Sequence, residues 1–222
     1  MTETLPPALT RDAQQQLWME SVHLETIAKQ FGTPAYVYSK SAIINAYQAL
    51  VTAFGEREHQ ICFAVKANSN LAILKLLADQ GAGFDIVSGG ELARVLKAGA
   101  NPQTVVFSGV GKAEWEIKAA LEANIGCINV ESIAEMAAIA AIARQLKQPA
   151  PISLRVNPDV DARTHPYIST GLKDNKFGID IDSAPEIYRQ AQADPWLTVV
   201  GVDCHIGSQL TETAPFAAAA ER

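Results

Sequence analysis

The chain has 222 residues, of which 48% are hydrophobic and 19% charged, the balance of a folded globular protein rather than a disordered one. With 18 Lys and Arg against 24 Asp and Glu, the net charge is −6, which leaves no electrostatic case for a nucleic-acid or anionic-membrane partner. The three cysteines, Cys62, Cys127 and Cys204, are odd in number and far apart. That fits neither a disulfide framework nor a zinc site and points to a reduced, cytoplasmic protein without a metal. The opening MTETLPPALTRDAQQQ has no basic stretch and no apolar run, so no secretory signal is expected. No segment approaches the ~18 apolar residues of a membrane span.

The first 30 residues read as a polar lead followed by a helical pattern over 22–29. In GTPAYVYS, Gly32 and Pro34 punctuate, and Tyr36, Val37 and Tyr38 favour a strand. Ser39 can cap a helix running to Phe54, with Ile43, Tyr47 and Leu50 on one face. Residues 1–40 are therefore taken as an N-terminal helix-and-strand segment and 41–222 as the main domain.

From residue 61 short apolar runs alternate with helical patterns. ICFAVKAN is the first run, followed by a helix that places Leu71, Leu74 and Ala78 on one side and ends at Gly81. FDIVS precedes Ser88-Gly89-Gly90-Glu91, a capping-box spacing that opens a helix stopping at Gly99. TVVFSG leads to an amphipathic helix over 112–124. CINVE leads to a second box, Ser132 with Glu135, and an alanine-rich helix to Leu146. ISLRVNP is followed by a long loop over 158–181, whose length marks it as functional. A helix over 185–193, the strand VVGVDCHIGS and a last helix from Pro215 complete the series.

Strands each followed by a helix argue for an α/β fold with a parallel sheet, either a doubly wound open sheet or a (β/α)₈ barrel. A dinucleotide fold wants GxGxxG after its first strand, and that position reads KANSN. Instead Lys66, Asp85, Ser108, Glu131, Arg155 and His205 sit at successive strand ends, which suits a barrel whose site is assembled from many strands. About six of the eight strands of such a barrel are readable.

Lys66 lies within an apolar run, where a lysine is costly to bury. It is either a snorkelling lysine at a strand end or a Schiff-base nucleophile. His205 is either a core histidine or a site residue, and VDCHIGS favours the site because polar residues follow the apolar strand at its C-terminal end. Gly207 permits close backbone approach to an anion. Ser88 to Glu91 could form an anion nest, but helix capping already accounts for the spacing. The three cysteines read as packing residues.

YVYS, FAVKAN, FDIVSGGEL, LRVNP, HPYISTG, KFG and HIGSQ, in that order, resemble the fold-type III pyridoxal-phosphate decarboxylases that act on ornithine, arginine and diaminopimelate. The wording FDIVSGGE, HPYISTG and HIGSQ is most similar to the diaminopimelate branch. The resemblance implies an alanine racemase-like (β/α)₈ TIM barrel that binds pyridoxal 5'-phosphate. It makes Lys66 the Schiff-base lysine, sets His205 against the pyridine ring and Ser208 on the phosphate, and places Asp85, Arg155 and Gly207 beside the cofactor. It puts His165 and Tyr167 in a substrate loop at the dimer face. The implied reaction is decarboxylation of meso-diaminopimelate at its D centre to L-lysine and CO₂, the last step of lysine biosynthesis, in a cytoplasmic homodimer. Ornithine or arginine decarboxylation is the rival within the family. A racemase is the rival outside it, disfavoured because SNLAILKLL follows VKAN where racemases carry a tyrosine-containing, glycine-rich stretch. A cofactor-binding protein without catalysis would have no use for the HPYISTG loop. The resemblance further implies that the chain lacks the last barrel strands and a C-terminal β domain, which the YVYS strand would join, and that it is inactive alone.

Overall fold

The computed structural model describes residues 8–160, 177–208 and 210–222. Two compact units divide between Ile61 and Cys62.

The first unit opens with a small antiparallel sheet of β1 (Leu9–Arg11), β2 (Leu17–Met19) and β3 (Val22–His23). The sequence reads as a polar lead there because the turn is set by a side chain, not by Gly or Pro. Asp12 Oδ1 accepts from the backbone N–H of Gln14 and Gln16, each at 2.9 Å, and Oδ2 accepts from Trp18 Nε1 at 2.9 Å. The helical pattern expected over 22–29 is α1 (Leu24–Phe31). The strand expected at YVYS does not form. Tyr36 is 92% exposed and Tyr38 54%, and among the described residues of the unit no strand pairs with this segment. Ser39 caps α2 (Lys40–Phe54) as expected, accepting from Ala42 N at 3.0 Å.

The second unit is a parallel sheet with helical crossovers: β4 (Cys62–Ala64), α3 (Leu71–Ala78), β5 (Gly83–Ile86), α4 (Gly89–Lys97), β6 (Val105–Phe107), α5 (Glu114–Glu122), β7 (Cys127–Val130), α6 (Ile133–Leu146), β8 (Ala150–Asn157), β9 (Ile179–Asp180), α7 (Ala184–Ala193), β10 (Leu197–Asp203) and α8 (Ala214–Glu221). The strand order is β4-β5-β6-β7-β8-β10, with β9 pairing β8 off that path. Each new strand adds on the same side of the last, and every pairing is parallel. A doubly wound sheet must reverse direction from its first strand. This order never reverses, so it is a run of adjacent barrel staves. The loop expected over 158–181 is partly outside the described residues, and its end carries β9.

The core lies on the outer face of the sheet, beneath the helices. Phe84 and Ile86, Phe107, Ile128, and Ile152 and Leu154 alternate along their strands and are fully buried. Each contributes roughly 1.5–3 kcal/mol of burial. Both capping serines act as expected: Ser88 Oγ accepts from Glu91 N and Ser132 Oγ from Glu135 N, each at 3.2 Å. The glutamates depart from the capping box by one residue. Glu91 Oε2 accepts from Val87 N and Glu135 Oε2 from Glu131 N, so each ties down the first residue after its strand. Gly89 N is taken by Glu116 Oε1 at 2.7 Å, which leaves the turn committed to its own protein partners.

Candidate active site

The inner face of the sheet is contributed by every second strand residue, as the pleat dictates. Asp85 stands between Phe84 and Ile86, Asn129 between Ile128 and Val130, and Arg155 between Leu154 and Val156. These three, with Lys66, Ser108 and His205, border one cavity of about 510 Å³ at the C-terminal ends of the staves.

A directed hydrogen-bond ladder crosses the cavity floor. Ser153 Oγ donates to Asn129 Oδ1 at 2.5 Å, Asn129 Nδ2 donates to Ser108 Oγ at 3.1 Å, and Ser108 Oγ donates to Asp85 Oδ1 at 2.6 Å. Each hydroxyl gives its single proton once, so the ladder runs one way and ends on an acceptor-only carboxylate.

Beside it lies a buried ion pair. Arg155 Nη1 donates to Glu131 Oε1 at 2.9 Å, with the side chains 11% and 3% exposed. The same oxygen accepts from Gly109 N at 3.0 Å. Glu131 Oε2 and Arg155 Nε are buried with no hydrogen-bond partner among the described residues. The guanidinium carbon sits 5.6 Å from the centroid of the Phe177 ring.

The charges of the floor act on the two groups at the end of β10. Burial pushes the Asp203 carboxyl up; Arg155 opposes this, while Glu131 and Asp85 reinforce it. Burial pushes the His205 imidazole down, and the cations of Arg155 and Lys66 push the same way. His205 is therefore a neutral imidazole at neutral pH, half-buried at the cavity wall.

Of the residues singled out from the sequence, Lys66, Asp85, Arg155, His205 and Ser208 all line this cavity. Lys66 departs from expectation in being exposed rather than buried. The chain leaves the strand at Val65 and makes a 3₁₀ turn over Val65–Ala67, which buries Val65 and lifts Lys66 to the mouth. Gly207 is buried with φ 140°, a conformation that favours glycine. His165 and Tyr167 lie outside the described residues. Asn129, Ser153 and Asp203 were not anticipated. Their signal is the polar member of an apolar-polar alternation in CINVE, ISLRVN and VVGVD. Cys62 and Cys204 also border the cavity; burial pushes the Cys62 thiol up to about 11 and raises that of Cys204, so neither is a ready nucleophile.

The chain is 58% identical over 207 residues to diaminopimelate decarboxylase of Vibrio cholerae, covering 93% of this chain and 50% of that protein. It is 57% identical to the Pseudomonas aeruginosa enzyme of the same name, covering 96% of this chain and 51% of that protein. The crystal structure of diaminopimelate decarboxylase from Helicobacter pylori complexed with L-lysine superposes with a TM-score of 0.87 at 47% identity, over 90% of this chain and 50% of that one. The chain thus spans about half the length of the curated relatives it matches. Residues 40–222 match the pyridoxal binding domain of the pyridoxal-dependent decarboxylases, and the chain belongs to that family.

Proposed function

We propose that this chain is the pyridoxal-binding portion of a decarboxylase that converts meso-diaminopimelate to L-lysine and CO₂, the last step of lysine biosynthesis. The observation that carries the reading is the convergence of Lys66, Arg155, His205 and Ser208 on one cavity at the strand ends. Identities of 58% and 57% to two diaminopimelate decarboxylases favour that substrate over ornithine or arginine.

The cavity suits pyridoxal phosphate. An exposed primary amine stands at its mouth, a neutral imidazole forms one wall, and a guanidinium whose buried Nε–H has no partner among the described residues lies at its floor. Lys66 would hold the cofactor through its amine and Ser208 through its hydroxyl. His205 would lie against the ring, with Arg155 and Asp85 offering opposite charges from the floor. The chemistry that pyridoxal phosphate supplies when bound is an electron sink for the pair left as the carboxylate departs. His205, being neutral, can pack against an aromatic ring without placing a second cation beside Arg155. The Glu131 carboxylate holds that guanidinium in place. The polar ladder fixes Asp85 and presents an oriented carboxylate rather than a mobile one.

The reading extends to a TIM barrel completed by further strands, a homodimer and a cytoplasmic location. It keeps residues 1–40 as a segment that joins a C-terminal β domain and His165 and Tyr167 as substrate contacts. The sequential staves support the barrel, and three free cysteines support a reducing compartment. No helix among the described residues is long and apolar enough to cross a membrane. The test offers meso-diaminopimelate, ornithine and arginine in parallel to the full-length protein. L-Lysine from meso-diaminopimelate is expected; turnover of ornithine or arginine with none of meso-diaminopimelate overturns the substrate assignment.

A further inference from the structure

Lys112 has no exposed side-chain surface. All three of its ammonium protons are used: Nζ donates to Gly109 O and Asn129 O, both at 2.7 Å, and to Glu135 Oε1 at 3.0 Å. The Phe107 ring centroid lies 5.6 Å away. Glu135 Oε2 accepts from Glu131 N at 2.6 Å, and Glu131 Oε1 accepts from Gly109 N at 3.0 Å. These bonds close a ring from Lys112 through Glu135, Glu131 and Gly109 back to Lys112. Arg155 is attached to that ring at Glu131 Oε1.

We propose that Lys112 is a positioning residue for the cavity: it locks the turn after β6 to the turn after β7, and so holds Glu131 and, through it, Arg155. A buried cation is an expensive way to fill space, since an apolar side chain of similar volume avoids the desolvation cost. What the ammonium does that methionine cannot is bind a carbonyl of its own turn, a carbonyl of β7 and a carboxylate on α6 at once. Glu135 then fixes the backbone of Glu131 while Gly109 fixes its carboxylate, so both ends of the residue that holds Arg155 are set by groups that Lys112 anchors.

The inference rests on the reading of this cavity as the cofactor site, and the test separates the two. Lys112→Met, Glu135→Gln and, as a core truncation away from the ring, Val95→Ala are made in this chain. The His205 midpoint is followed by NMR without cofactor, and pyridoxal phosphate affinity is measured by titration. Lys66 and Arg155 depress the His205 midpoint, while Asp85 and Glu131 raise it. Release of Arg155 should raise the midpoint by about half a pH unit or more in both charge variants. Affinity should fall roughly tenfold, the loss of one charged hydrogen bond to the cofactor. Val95→Ala should leave the midpoint unchanged. An unchanged midpoint in the charge variants, or an equal shift in Val95→Ala, overturns the positioning role. If Lys112→Met does not fold, Glu135→Gln decides, because glutamine keeps an acceptor for Glu131 N while removing the charge that faces Lys112. Failure of the unsubstituted chain to bind pyridoxal phosphate counts against the cofactor site, and the His205 midpoints still decide the role of Lys112.

Discussion

Glu131 and Arg155 form a pair whose strength can be measured by a double-mutant cycle. Their side chains are 3% and 11% exposed, against 74% and 56% for the surface pair Lys29 and Glu25. Arg155→Met leaves an uncompensated carboxylate at the cavity floor, which should cost about 3–5 kcal/mol. Glu131→Gln keeps an acceptor for Gly109 N and removes only the charge, so its cost should be lower, about 1.5–3 kcal/mol. The double variant buries neither charge and should be less destabilised than the sum of the two, with a coupling of about 2 kcal/mol. Lys29 and Glu25, solvated and one helical turn apart, should couple by only ~0.3–0.5 kcal/mol. Urea unfolding followed by tryptophan fluorescence gives all four stabilities. A Glu131–Arg155 coupling as small as that of the surface pair would mean that water reaches both groups, against the burial of the pair described above.

Three further outcomes follow from the same geometry. Borohydride reduction in the presence of pyridoxal phosphate, followed by peptide mapping, should place the pyridoxyl group on Lys66; a label on another lysine removes Lys66 from its role. His205→Ala should weaken pyridoxal phosphate binding more than His205→Phe, which keeps a flat ring; equal affinities in both would show that the side chain does not face the cofactor. Burial raises the folded-state pKa of Asp203 above the ordinary carboxylate value, so the folded chain holds that proton more tightly than the unfolded chain. That contribution is full below the unfolded value and lost as pH rises through the folded one. Asp203→Asn should therefore stabilise the chain at neutral pH and lose its advantage in acid, and a destabilised Asn variant in neutral urea titrations would reverse the sign.

The alternation of strands and helices was legible because each stave carries an apolar outer face and each helix a recognisable start. Ser39, Ser88 and Ser132 all cap where the sequence places them. The strand order was legible only as a choice between two folds, since the pleat of one stave does not say on which side the next one adds. Tyr36 to Tyr38 misled because β-propensity describes a side chain that fits a half-buried pleated surface, and this segment has no partner strand among the described residues of its unit. β1 to β3 were missed because strands of two or three residues carry no periodicity, and the Asp12 side chain rather than a glycine makes their turn. Lys66 was recognised by its neighbours, yet its exposure was misjudged, because an apolar run does not reveal where a strand gives way to a 3₁₀ turn. Lys112 was read as the beginning of a helix. Nothing local marks it as buried; its partners Asn129 and Glu135 belong to the following stave and helix.

A strand in a parallel sheet usually buries apolar side chains on both faces. These staves do so on one face only. Phe84, Phe107, Ile128 and Leu154 point beneath the helices, while Asp85, Ser108, Asn129 and Arg155 point into the cavity. The helices therefore supply the stability, and the inner face is released from packing to carry charge. That release is safe only if the polar groups satisfy one another, because each unpartnered buried donor or acceptor costs about 1–3 kcal/mol. The ladder from Ser153 to Asp85 meets the condition with hydroxyls and one amide. Asn129 is the residue that makes it possible, since it donates on one side and accepts on the other, which neither leucine nor aspartate can do. Three buried atoms among the described residues remain outside this accounting: Asn157 Oδ1, and Glu131 Oε2 and Arg155 Nε of the ion pair at the cavity floor. A fold that satisfies Ser108, Asn129 and Ser153 yet leaves the two atoms of the ion pair without a partner among the described residues has kept hydrogen-bonding capacity where a bound molecule can use it.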